Sequence, residues 1–248
     1  MVVKSQIKFI KNLQQKKYRN QNGLFVVEGV KTIQTLLDAG FSVQKIYVTQ
    51  TDIIDAPSTK PVLITDASLK KMSSLVTPNK ALGVFYIPKM ERIEFSDWVV
   101  ALDDVRDPGN LGTIIRLCDW FGIRHLVCSL HTVDCYNPKV LQATMGSISR
   151  VNVVYTDLYS FLKEVKTPVF GTFMQGASVY QVSLPPSGVL VLGNEAKGIS
   201  DGLQALISEK ISIPQFGEKT AESLNVATAT AIFLGEIRRG YSETIIQK

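Results

Sequence analysis

Cysteine and histidine are both scarce in this chain. The three cysteines, Cys118, Cys128 and Cys135, are too few and too irregularly spaced for a disulfide framework or a zinc site. They read as small hydrophobes of the core. The two histidines, His125 and His131, sit in no HExxH pattern and beside no matching Cys or Asp cluster, so no metal is implied. No run approaches the roughly 18 apolar residues of a membrane helix. The leading stretch MVVKSQIKFIKNLQQKK lacks the apolar core and cleavage site of a signal peptide. A cytoplasmic protein without a membrane partner is therefore expected. No G-x-G occurs anywhere, which excludes the Rossmann dinucleotide fingerprint. Acidic residues are missing from the first 27 positions.

That last absence leaves a one-signed segment. Lys4, Lys8, Lys11, Lys16, Lys17 and Arg19 stand there unopposed, although the whole chain carries a net charge of only +5. Such a segment is either a solvated helix face or an electrostatic footprint for a polyanion. Tyr18 and Asn20 beside it add stacking and hydrogen-bonding capacity, which favours RNA.

Hydrophobic residues make up 45% of the 248 positions, enough to bury a core in one large domain or two ordinary ones. Ile7, Ile10 and Leu13 predict a helix over 5–17. Strands follow at 24–28, 43–49, 62–65 and 82–87, with helices at 30–39 and 68–75, the latter with Asp66 and Ser68 as cap candidates. This is a small α/β unit of residues 1–90. The polar stretch 88–97 reads as a linker to a second domain, 98–248. There the pattern repeats strand and helix, with strands at 98–102, 124–128, 151–154, 168–173, 188–193 and 210–213. Helices are expected at 110–121, 138–147, 157–165, 201–207 and 223–238. Runs such as Gly-Val-Leu-Val-Leu-Gly (188–193) are continuously apolar, so these strands are buried on both faces of a parallel sheet.

Ligands of open α/β sheets bind outside the carboxyl ends of the strands. Three such ends have unusual sequences. After 98–102, a Pro-Gly turn leads to a helix opening near Asn110, an N-cap candidate. Gly112 lets a ligand or backbone approach closely, and Arg116 emerges from an otherwise apolar helix. After 188–193 comes Gly193-Asn-Glu195-Ala-Lys-Gly198. It nearly matches a phosphate-binding P-loop, but Ile199 stands where the lysine must be, so nucleotide triphosphate chemistry is excluded. After 210–213, a polar loop leads to Ser223-Leu224-Asn225 and an Ala- and Thr-rich helix.

Taken in order, these segments resemble the three motifs of the SpoU/TrmH family of the SPOUT superfamily of RNA methyltransferases. Asn110-x-Gly112-x-x-x-Arg116 is similar to the first, Gly193-Asn-Glu195-x-x-Gly198 to the second, and Ile213-Pro214 with Ser223-Leu-Asn225-Val-Ala227 to the third. The likeness covers roughly 98–240, and the N-terminal unit resembles the family's ribosomal-protein-like RNA substrate-binding domain. The resemblance implies an α/β catalytic domain of SPOUT type, whose parallel sheet ends in a C-terminal trefoil knot. It implies a homodimer that uses S-adenosylmethionine to methylate a ribose 2′-hydroxyl in ribosomal or transfer RNA. It assigns the cofactor to Thr172, Leu192, Gly193, Gly198, Ile213 and Leu224, largely through backbone groups. Catalysis falls to Arg116, Asn110, Glu195, Ser223 and Asn225, with Arg116 near the partner's cofactor. One departure is the loop between Pro214 and Ser223, which is longer than the family pattern and carries Glu218, Lys219 and Glu222. It leaves the pocket's local shape open.

A ribose hydroxyl is a poor nucleophile near neutral pH, so the acceptor must be aligned and its developing charge stabilised. A guanidinium keeps its proton in proteins, which favours Arg116 as an electrostatic stabiliser or phosphate clamp over a base. A non-catalytic RNA-binding protein on the same scaffold, and a base-directed RNA methyltransferase, are the alternative readings.

Overall fold

The computed structural model describes residues 3–217 and 223–239. The chain forms two compact units, Met1–Met90 with Asp134–Arg150, and Glu91–Val133 with Val151–Lys248.

In the first unit, two helices stand where the pattern predicts one: α1 (Lys4–Asn12) and α2 (Lys16–Asn22). Arg19 explains the break. Its Nη1 donates to the carbonyls of Leu13 (3.0 Å) and Gln14 (2.7 Å), which have left the helical ladder. Then come β1 (Leu24–Glu28), α3 (Val30–Asp38), β2 (Val43–Val48), β3 (Val62–Leu63), α4 (Asp66–Met72) and β4 (Ala81–Tyr86). Thr65, rather than Asp66 or Ser68, caps α4, its Oγ1 accepting from the Ser68 amide at 3.2 Å. The sheet order is β1-β4-β2-β3, antiparallel except for the β2–β3 pair. Ile10 and Leu13 join Leu69, Met72 and the strand residues Leu24, Leu82 and Val84 in one core.

The second unit begins with β5 (Val99–Leu102), α5 (Pro108–Trp120) and β6 (His125–Ser129). The chain then contributes a segment to the first unit. This is α6 (Pro138–Thr144) and a 3-10 turn (Ser147–Ser149), where the pattern predicts one helix over 138–147. Met145 and Gly146, both at positive φ, end α6. The remaining elements are β7 (Asn152–Thr156), α7 (Leu158–Glu164), β8 (Val169–Ser178), β9 (Val189–Leu192), α8 (Asp201–Gln204), β10 (Glu209–Ser212) and α9 (Val226–Arg239). The last begins at Val226 rather than Ser223.

These strands form a six-stranded, wholly parallel sheet ordered β10-β8-β9-β5-β6-β7, as the continuously apolar runs imply. Every residue of β5, β6 and β9 is buried. Val99, Ala101, Val189 and Val191 pack with Leu158, Leu162 and Leu203 of α7 and α8. Because side chains alternate along a strand, Val100, Leu102, Leu190 and Leu192 face the opposite side. All three cysteines are buried and reduced, and burial pushes the Cys118 thiol up to about 12, which leaves it unreactive.

Candidate active site

Strand order locates the site. From β5 the chain steps to β6 and β7 on one side, then crosses to β8, β9 and β10 on the other. The order reverses between β5 and β9, and the crevice at such a switch point is where open α/β sheets take ligands. Leu102 and Leu192, the last residues of these strands, are register partners.

Beyond Leu102 the backbone turns sharply, and Asp104 adopts a positive φ of 59°. Asp107 then caps α5, its Oδ1 accepting from the Asn110 amide at 2.8 Å, with Pro108 in the first turn. Asn110 is therefore not the N-cap that its sequence position suggests. Proline lacks an N–H and fits the first helical position, which sets the helix start two residues earlier. The Asn110 side chain is thereby released for other partners.

Those partners come from the other two motifs. Asn110 Nδ2 donates to Glu195 Oε1 at 3.0 Å, and Asn225 Nδ2 donates to Asn110 Oδ1 at 2.9 Å. The amide orientations follow from the network. Asn225 Oδ1 accepts from the Ala227 (2.9 Å) and Thr228 (3.3 Å) amides, capping α9, so only its NH2 remains to donate. Asn110 must then turn its oxygen toward Asn225 and its NH2 toward Glu195. The result is a directional relay that ends on the Glu195 carboxylate, whose other oxygen holds no hydrogen bond among the described residues.

The loop that carries Glu195 is held by Asn194, which stands inside the second motif without an assigned role, and by Asp103, which lies outside the motifs. Asn194 Nδ2 donates to the Asp104 carbonyl at 2.7 Å, while its Oδ1 accepts from Ala196 (3.0 Å) and Lys197 (3.1 Å). Asp103 Oδ2 accepts from the Ser200 amide at 2.8 Å. A sequence signal exists for Asn194, since Asx residues turn a chain by binding the amides two and three residues on.

Two glycines serve this loop directly. A Cβ on Gly193 would sit 2.1 Å from the Gly198 carbonyl carbon and 2.3 Å from the Ile199 amide nitrogen. Gly198, at φ +69°, exchanges both backbone hydrogen bonds with Asn194. Gly198 was expected at the cofactor. Its N–H and carbonyl instead close its own loop.

The other expected cofactor residues follow neighbouring strand ends. Thr172 begins a bulge, because the β10–β8 register jumps from Gly171 to Ala177 and leaves 172–176 out of that pairing. Gly193 follows the buried Leu192, and Ile213 follows β10. Leu224, beside Asn225, is 49% exposed, and Ser223 is exposed with no hydrogen bond among the described residues. Glu218, Lys219 and Glu222 lie outside the described residues.

Arg116 is exposed and holds no hydrogen bond or ion pair among the described residues. It lies six residues past Asn110, or about 120° away around the helix at ~3.6 residues per turn. The structure thus joins Asn110, Glu195 and Asn225 but not Arg116.

The basic N-terminal residues divide in two. Lys4, Lys8, Lys11, Lys16 and Lys17 are exposed. Arg19, expected beside them on RNA, is only 2% exposed; its Nε donates to Asp134 Oδ2 at 3.0 Å and its Nη2 reaches the same oxygen. A guanidinium committed to two carbonyls and a carboxylate inside the unit is not offered to a phosphate.

Fold and site together define an α/β protein with a polar relay at the carboxyl edge of a parallel sheet. Known proteins share this fold. The model of the SpoU rRNA Methylase family matches residues 97–235, and that of the MRM3-like substrate binding domain matches residues 4–83. The 23S rRNA (guanosine(2553)-2′-O)-methyltransferase RlmP of Bacillus subtilis is 30% identical over 239 residues, covering 94% of this chain and 95% of that one. A TrmH-family structure from Porphyromonas gingivalis superposes with a TM-score of 0.90 at 35% identity, covering 96% of this chain and 99% of that one. An rRNA methyltransferase from Sinorhizobium meliloti, solved with AdoMet bound, gives 0.86 at 28% identity and 96% coverage of both chains. The chain belongs to the SpoU rRNA methylase family.

Proposed function

We propose that this protein transfers a methyl group from S-adenosylmethionine to a ribose 2′-hydroxyl of ribosomal RNA. The Asn225–Asn110–Glu195 relay carries the reading. It joins all three motifs at the strand ends and leaves one carboxylate oxygen as an acceptor for a ribose hydroxyl.

The residues around the site fit the cofactor. The 172–176 backbone lies outside the β10 ladder, and Leu224 and Ile213 each keep apolar surface exposed. A flat, partly apolar nucleoside needs backbone polar groups at its edge and apolar contacts on its faces. Thr172, Leu192, Gly193, Ile213 and Leu224 would hold it, and the bound cofactor would supply an electrophilic methyl on its sulfonium. The protein must then orient the acceptor. Glu195 would accept from a ribose hydroxyl, Asn110 and Asn225 would hold Glu195 in place, and Ser223 would add a donor at the mouth. Arg116 would grip the neighbouring phosphate and stabilise charge developing on the 2′-oxygen. Its position away from the relay supports a homodimer in which each arginine serves the partner's site.

Residues 1–90 would act as the RNA-binding domain, with Lys4, Lys8, Lys11, Lys16 and Lys17 on phosphates. Residues 98–248, apart from the 134–150 segment that packs within the first unit, would form the catalytic domain, closed by a trefoil knot. The near full-length likeness to a Bacillus subtilis rRNA methyltransferase supports a cytoplasmic enzyme.

The decisive experiment mixes two inactive chains. Arg116→Ala should bind S-adenosylmethionine but not transfer methyl, and Leu224→Glu should fail to bind it. Heterodimers should regain activity, because one site combines an intact arginine with an intact pocket. Near-normal turnover by Arg116→Ala would refute its role. Failure of the mixture, with subunit exchange confirmed, would refute the shared site.

A further inference from the structure

The helices that carry the relay are tied to each other at both ends. At their starts, Asn225 reaches Asn110. At their far ends, Arg238 reaches α5: its Nε donates to the Phe121 carbonyl at 2.8 Å and its Nη2 to the Gly122 carbonyl at 3.3 Å. Phe121 is the C-cap of α5, where carbonyls lack helical partners. Asp97 fixes the guanidinium in turn, with Nη1–Oδ1 at 2.9 Å and Nη2–Oδ2 at 2.7 Å.

The helices therefore run parallel and packed side by side, start to start and end to end. At ~1.5 Å per residue, Asn110 to Phe121 spans about 16 Å and Asn225 to Arg238 about 20 Å. The large buried residues of α9, Phe233, Leu234 and Ile237, lie in its later turns beside Arg238, while the first turns bury the smaller Val226, Ala227 and Thr230. These first turns read Val-Ala-Thr-Ala-Thr-Ala, and small side chains make shallow ridges. A slip of one residue would move Asn225 by about 1.5 Å, enough to break its bond to Asn110.

We infer that Arg238, held by Asp97, is a positioning residue that sets the axial register of α9 against α5 and so keeps Asn225 within reach of Asn110. It acts on the site from the opposite end of the helix pair, through a bidentate carboxylate and two cap carbonyls. A lysine would lose that geometry while keeping the charge. The inference rests on the methyl-transfer reading for its kinetic test but not for its spectroscopic one.

The test is a double-mutant cycle on the full-length protein. Arg238→Met should lower kcat for methyl transfer to RNA by about 10- to 100-fold, as expected for a misplacement near 1 Å. The KM for S-adenosylmethionine should stay within about twofold, since uniform binding is untouched. In an Asn225→Ala background the same change should have no further effect, because the hydrogen bond it protects is already gone. General destabilisation would instead multiply the two losses. Arg238→Lys should restore little. If Arg238→Met does not fold, Asp97→Asn enters the same cycle, with a smaller loss that also vanishes in Asn225→Ala. Independently, the side-chain amide NMR signals of Asn110 and Asn225 should shift in the Arg238 or Asp97 variant. Multiplicative losses, or unmoved amide signals in a folded variant, overturn the inference. A wild-type protein that transfers no methyl group overturns the methyl-transfer reading, and the amide signals then still decide the register.

Discussion

Arg19 and Asp134 form an ion pair inside the first unit although 115 positions separate them, with Arg19 Nε 3.0 Å from Asp134 Oδ2 and side-chain exposures of 2% and 12%. The pair fastens the 134–150 segment, which interrupts the methylase-family region, to the N-terminal residues. Tyr136 packs on Phe25 beside it, ring centroids 4.5 Å apart.

Removing one partner of such a pair leaves a buried charge. Arg19→Met should cost about 3–5 kcal/mol, or roughly 6 to 20 °C in Tm at about 2–4 °C per kcal/mol. Replacing both partners, Arg19→Met with Asp134→Leu, should recover much of the loss. A single variant as stable as wild type by thermal unfolding would contradict this role for the pair.

The exposed lysines should behave in the opposite way. Lys4, Lys8 and Lys11 lie in α1, and replacing all three by alanine should leave stability within about 0.5 kcal/mol per site. RNA affinity should fall, and the slope of log K against log salt should flatten by roughly 0.7 to 0.9 for each phosphate no longer neutralised. An unchanged slope would make the segment a solvated helix face.

Asn110→Asp sets a carboxyl 3.0 Å from Glu195. The two would share a proton, with one group titrating well above the usual carboxylate range. While protonated, the new side chain can still donate to Glu195 and accept from Asn225. Once both ionise, the relay breaks. Activity of the variant should therefore persist at low pH and fall as pH rises through the raised value, against no such fall in wild type. Parallel pH–rate profiles would refute the relay.

Gly193 and Leu224 separate the loop from the pocket. Gly193→Ala drives a Cβ into the Gly198 backbone, so stability and cofactor binding should fall together. Leu224→Glu, on a half-exposed side chain, should weaken S-adenosylmethionine binding by more than about tenfold with little change in Tm. Calorimetric titration distinguishes them. Normal binding by Leu224→Glu would move the pocket elsewhere.

His125 predicts an acid-sensitive step. Burial, and then the positive charge of Arg124, hold its imidazole below the ordinary 6.5, with Glu94 and Glu91 opposing. Its Nε2 accepts from the Glu94 amide at 3.3 Å, and Asn152 Nδ2 lies 3.1 Å from Nδ1. A depressed value means that the fold favours the neutral ring. The stabilisation is complete above about pH 6.5 and is lost as pH falls through the folded value. Unfolding free energy should drop more between about pH 7 and pH 5 in wild type than in His125→Gln. Equal slopes would show that other groups govern acid stability.

The strand order, most of the helices, the doubly buried parallel sheet, and the three motifs with Asn110, Glu195 and Asn225 were legible in the amino-acid order; the breaks at 13–15 and 145–146 were not. The legible features are local properties: side-chain periodicity, turn chemistry, and residue types at fixed spacing. What each polar group faces was settled only when the chain folded. Pro108 at the first helical position puts the cap on Asp107, and only the fold brings the released Asn110 amide to Glu195 and Asn225. The fold committed Gly198 to its own loop and buried Arg19 against a carboxylate 115 positions away. A hydrogen bond is made within about 3 Å in space, and nothing in the local pattern of a basic segment reveals which of its charges the fold will need for itself.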